Sequence, residues 1–245
     1  MGRRVITIGV VCAGMLVGAG GASADTVTFG SQFQGAIGSA LFDGGAGTIV
    51  NTSLPAPLNV ASPTDGTVIE WRFSSQPNSF TPQVIRPLGG DLYTLAVAGP
   101  PQVGTGVGNI LGPFPLNLPI KKGDLFGVAG GNNARFGVIN HPGGSYAYFV
   151  PPLDTGPGRP RDYGGPSPAE YAISATVRYC LVPSLKGKKP KAAKKALKAA
   201  DCAFGGKKKS KKRRKKKRVV GQSVAPGTSI SDIAPVAIKV SRPKS

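Results

Sequence analysis

The chain has 245 residues, with 31 Lys and Arg against 11 Asp and Glu and a formal net charge of +20. A single histidine, His141, leaves no Cys/His metal cluster to build, and no cofactor or metal is expected. The charge is not spread evenly. Residues 25–179 carry eight basic and nine acidic side chains, whereas residues 180–245 carry twenty-one basic side chains against Asp201 and Asp232 alone. A polyanion partner is therefore expected for one end of the molecule only.

The N-terminus opens on Met1-Gly2-Arg3-Arg4, a short positive stretch. An apolar segment from Val5 to Val17 follows, then small residues ending in Ala22-Ser23-Ala24. This order of charge, greasy core and A-x-A site reads as a secretory signal at residues 1–24, with Asp25 as the first mature residue. An uncleaved anchor is the alternative, but the segment is short and glycine-bearing against the ~20 residues a span needs. A lipidated Cys12 is disfavoured because Val11 stands where a small residue is wanted. Past the cleavage site no second stretch has spanning length. Cys180 and Cys202 remain, and an even count in an exported chain reads as one disulfide, with two separate thiols as the alternative.

Residues 25–179 have the texture of a β domain. In 67–73, Ile69, Trp71 and Phe73 alternate against Val68, Glu70 and Arg72. In 171–179, Tyr171, Ile173, Ala175, Val177 and Tyr179 alternate against Ala172, Ser174, Thr176 and Arg178. A period of two marks half-buried strands. Further strands are expected at 25–29, 48–54, 84–87, 93–98, 125–129 and 146–150. Turn signals separate them, among them Asp65-Gly66, Gly90-Asp91, Gly123-Asp124, Asn132-Asn133 and Pro142-Gly143. The expected fold is mainly β, an antiparallel sandwich of jelly-roll type.

Within this domain no catalytic set stands out. His141 precedes Pro142 and belongs to a turn, with no nucleophile and orienting acid beside it. The carboxylates Asp43, Asp65, Glu70, Asp91, Asp124, Asp154, Asp162 and Glu170 occur singly. Those next to glycine are read as turn formers before calcium ligands. By alternation Trp71 belongs to the core. Tyr146 and Tyr148 share one face of their strand and are the candidates for a ligand platform, core packing being the alternative.

The last third, residues 180–245, changes character. Val182, Pro183, Leu185 and Gly187 form an opening segment. A helix follows, with Pro190 suited to its first turn. Lys191, Lys194, Lys195 and Lys198 lie on one face of it, and Ala192, Ala193, Ala196, Leu197 and Ala200 on the other. Then come Val220, Gln222, Pro226, Gly227 and Thr228, and a closing alternating strand, 236–241. In content and order these pieces resemble a PASTA domain, although Val224 stands where that family usually has a proline. The resemblance implies a small α+β module with affinity for peptidoglycan or related wall structures. It also implies a strand-and-helix excursion that returns the chain from Cys180 to Cys202, which favours the bridge. The resemblance does not extend to the first domain.

One segment departs from that pattern. Eleven of the twelve residues 207–218 are basic: Lys207, Lys208, Lys209, Lys211, Lys212, Arg213, Arg214, Lys215, Lys216, Lys217 and Arg218. They occupy the place of the module's second strand. Mutual repulsion is expected to disfavour an ordered strand there unless anions screen it. These eleven are the candidate contacts for an anionic polymer. No aromatic residue interleaves them, which argues against specific nucleic-acid reading. The expected function is that of a non-enzymatic, secreted, wall-associated binding protein contacting peptidoglycan or anionic wall polymer. The alternative is a secreted polysaccharide hydrolase with a C-terminal targeting module, and two carboxyls converging in an open cleft would distinguish it.

Overall fold

The computed structural model describes residues 25–41, 45–140, 142–154, 156–160 and 168–243. The signal segment, Cys12, Asp43, His141 and Asp162 lie outside the described residues. Eleven strands build the first unit: β1 (Asp25–Gly30), β2 (Gly38–Leu41), β3 (Gly47–Ser53), β4 (Gly66–Gly89), β5 (Leu92–Ala98), β6 (Gln102–Ile120), β7 (Leu125–Gly130), β8 (Arg135–Asn140), β9 (Ser145–Phe149), β10 (Ala169–Tyr171) and β11 (Ile173–Leu181). The helix α1 (Pro190–Ala199) follows, then β12 (Phe204–Arg214), β13 (Val219–Gln222), β14 (Ser229–Ser231) and β15 (Val236–Pro243). The fold is mainly β and the strands of the first unit pair antiparallel, as the alternation implied.

The spine is β4, whose 24 residues serve two sets of neighbours. Its first half pairs with β11, its second half with β7 and β5, and β6 runs along it from Gly66 to Phe80. The linked strand order is β1-β11-β4-β7-β3-β9. A strand that serves two sheet regions carries the chain round a corner, so that both regions face one core. That core is aromatic. Trp71 and Phe73 stack at 4.4 Å, Phe73 meets Phe80 edge-on at 5.1 Å, and Phe80 meets Phe136 edge-on at 4.8 Å.

Two local departures from simple alternation have identifiable causes. Strict alternation puts Val68 outward and Ile69 inward, but Val68 is fully buried and Ile69 only partly so. Glu70 pairs with Thr176 and Val68 with Val177, which leaves Ile69 as an extra residue on β4. Such a β-bulge shifts the inward face by one position, and Trp71 and Phe73 keep their places beyond it. The second departure is β6, a strand of 19 residues carrying glycines and prolines that read as loop. At Gly104 a Cβ would collide with the side chains of Ser75 and Phe80, so the close approach of β6 to β4 requires glycine.

The second unit is a helix on a three-stranded sheet of order β12-β15-β13. Ala193 and Leu197 of α1 pack on Val219, Val236 and Ile238, together with Val182 and Leu185 of the opening segment. Pro190 occupies the first turn of the helix, where its missing N–H removes no intrahelical bond.

Candidate functional site: the basic module

The module is tied to the first unit by strand pairing. β11 crosses the expected junction at 179/180 without a break, and β14 pairs with its last residues, Tyr179 with Ser231 and Leu181 with Ser229. Side chains reinforce this. Asp232 accepts from Thr67 Oγ1 at 2.6 Å and from Arg178 Nε at 2.8 Å. Beside this seam lies a crevice of about 330 Å³, lined by Arg86, Val97, Ile120, Ser231 and the exposed Ile233 among others.

Cys180 ends up buried near the close of β11, and Cys202 lies just past α1. The two form a disulfide with Cα atoms 5.0 Å apart. It fastens the end of the helix to the strand shared with the first unit. Gln222 makes a second fastening. Its Oε1 accepts from the Leu185 N–H at 3.0 Å, and its Nε2 donates to Val224 O at 2.8 Å and Pro183 O at 3.2 Å. One amide side chain thus holds the opening segment against β13.

The basic run does form a strand, contrary to the expectation from repulsion. β12 pairs parallel with β15, with Lys207 opposite Ile238, Lys208 opposite Lys239 and Lys209 opposite Val240. Pairing to the apolar strand β15, and burial of Val236 and Ile238 under the helix, hold β12 in place. Lys194 Nζ lies 5.7 Å from the Phe204 ring centroid, a cation–π contact near the start of β12. Lys207, Lys208, Lys209 and Lys211 are all exposed, as are Lys215, Lys216 and Lys217 beyond the strand. Arg218 is partly covered and donates to Gly187 O at 3.3 Å. Lys212, Arg213 and Arg214 continue the strand backbone.

The tyrosine platform is not an exposed surface. Tyr146 and Tyr148 do share a face, but that face is turned inward. Tyr148 is 5% exposed within the core, and the half-buried Tyr146 ring meets Tyr171 edge-on at 4.7 Å. Trp71 is likewise core. The buried carboxylates are engaged structurally. Asp124 takes a bidentate Arg86, both bonds 2.8 Å, and this raises the guanidinium pKa above its ordinary value. Glu170 accepts from Ser31 Oγ at 2.5 Å. Among the described residues no group of three His, Cys, Asp or Glu side chains is placed to hold a metal, and no helix is long and apolar enough to cross a membrane.

The C-terminal unit is therefore a small, disulfide-closed α+β module with one strongly basic edge strand. Residues 181–242 match the PASTA domain family. No match was found among curated proteins or among solved structures. A PASTA module with a closed disulfide fits a protein that works outside the cytoplasm.

Proposed function

We propose that this is a secreted, non-catalytic binding protein of the cell envelope, whose basic PASTA module contacts peptidoglycan or the anionic polymers attached to it. The observation that carries the reading is the match of residues 181–242 to PASTA together with the exposed lysines of β12 in that same module. The N-terminal Ala22-Ser23-Ala24 site and the disulfide support export.

Cosedimentation of the intact protein with purified wall sacculi tests the reading. Saturable binding is expected, weaker on sacculi stripped of their anionic polymer. Failure to bind either preparation at low salt would remove the envelope role.

A further inference from the structure

The strand pairing of the basic run places charges from distant parts of the chain side by side. Lys208 of β12 is in register with Lys239 of β15, and both are exposed. Lys239 is in turn in register with Gly221 of β13. A bulge between Val219 and Gly221 brings the glycine to that position. All three lie on the sheet face away from α1, because Val219, Val236 and Ile238 are the residues packed under the helix. A Cβ at Gly221 would meet only the Lys239 side chain, at 3.8–3.9 Å. The open face thus carries two adjacent ammonium groups on neighbouring strands, with no side chain beside them on the third. Adjacent strands lie ~4.8 Å apart, and like charges directly opposite destabilise a sheet. An anion seated between the two lysines would remove that repulsion.

The chemistry of the anion follows from the strand. β12 has 11 residues but, with two register shifts, runs beside the eight residues Val236–Pro243 of β15, a length of ~23 Å. On its other face the exposed Lys207 and Lys209 stand two residues apart, ~6.6 Å, before the register shifts between Lys209 and Arg213. A small anion cannot neutralise a line of that length. A chain with one negative charge per six backbone bonds advances about 7 Å per charge when extended, since three backbone bonds of a polypeptide span ~3.3–3.6 Å. A phosphodiester joining three-carbon polyols has six bonds per repeat. We propose that β12 is the track for an extended polyol-phosphate polymer, one phosphate per two residues, and that the Lys208–Lys239 pair on the open face anchors a phosphate.

This proposal rests on the wall-binding reading above and names the polymer and its contact. Single-stranded nucleic acid shares the six-bond repeat. It is disfavoured because base stacking needs aromatic side chains, and none lies within residues 207–218.

Binding of poly(glycerol phosphate) to the full mature protein would be titrated against salt. Lys208→Gln/Lys239→Gln would be compared with Lys191→Gln/Lys195→Gln, which removes equal charge from the exposed face of α1. The β-face pair should weaken binding roughly fivefold to thirtyfold at low salt. It should also lower the salt slope by about 0.7, the value for one neutralised phosphate on a flexible strand. The helix pair should change neither by much. Gly221→Glu fits the space beside Lys239 and supplies an internal carboxylate. It should keep or raise the melting temperature and weaken binding like the β-face pair. Equal losses for both lysine pairs would overturn the anchor and leave wall binding standing. No binding by the unaltered protein would remove both. A dT oligonucleotide of equal phosphate number binding as tightly as poly(glycerol phosphate) would overturn the assignment of the polymer.

Discussion

Arg178 and Asp232 meet across the seam between the two units, with Arg178 Nη2 2.7 Å from Asp232 Oδ2. The carboxylate is nearly buried and also accepts from Thr67, so it links β4, β11 and the C-terminal module at one point. Asp232→Ala leaves Arg178 and Thr67 without this partner. The expected cost is about 1–2 kcal/mol, toward the lower end for charge-assisted bonds because the Arg178 side chain is 40% exposed. Urea unfolding followed by Trp71 fluorescence and by far-UV circular dichroism should coincide in the unaltered protein and separate in the variant.

The Cys180–Cys202 bridge closes a loop with a sequence separation of 22. Cys180→Ser/Cys202→Ser should destabilise the module by roughly 3 kcal/mol on loop entropy. Hydrogen exchange should rise first in α1 and β12 and little in β4. Non-reduced peptide mapping of secreted protein should recover the two cysteines in one linked fragment.

Gln222 bonds three backbone groups from two segments. Gln222→Ala leaves the Leu185 N–H and two carbonyls to find other partners, at about 1–3 kcal/mol. Gln222→Glu keeps the acceptor for Leu185 but sets a carboxylate against Pro183 O and Val224 O. It should be no better than Ala, and a melting temperature equal to that of the unaltered protein would show that the amide contributes nothing.

Asp25 begins β1 and pairs with Tyr179. If cleavage follows Ala24, the mature chain starts with a residue already in the sheet. N-terminal sequencing of secreted material should read Asp25-Thr26-Val27.

Much of the fold was legible because alternation is a strong signal where one face is buried. Trp71 and Phe73, and Tyr171, Ile173, Ala175 and Val177, are inward as alternation implies, although Ala172 and Ser174 between them are buried as well. What alternation cannot show is where it slips. Nothing in the sequence around Ile69 announces a bulge, since its apolar character suits either face. β6 was hidden because Gly104 and Gly112 read as turn residues, while tertiary contact makes them strand residues that lie close to β4. Tyr146 and Tyr148 show that period two assigns residues to a common face without saying which face is wet. β12 was hidden for the opposite reason. Local repulsion argued against a strand, and pairing with the apolar β15 overrode it, an interaction thirty residues away in sequence that no local window contains.

The unbroken course of β11 also governs how the molecule would behave under tension. Its residues up to Tyr179 are bonded on one side to β1 and on the other to β4. Bonds between antiparallel strands lie across the strand axis. A pull that enters through the module and runs along β11 loads these bonds in shear, all together, instead of peeling them one at a time. A wall-bound copy would therefore hold its first unit like a blade set into a handle, at a fixed angle to the surface it grips, where a molecule with a loose linker would swing.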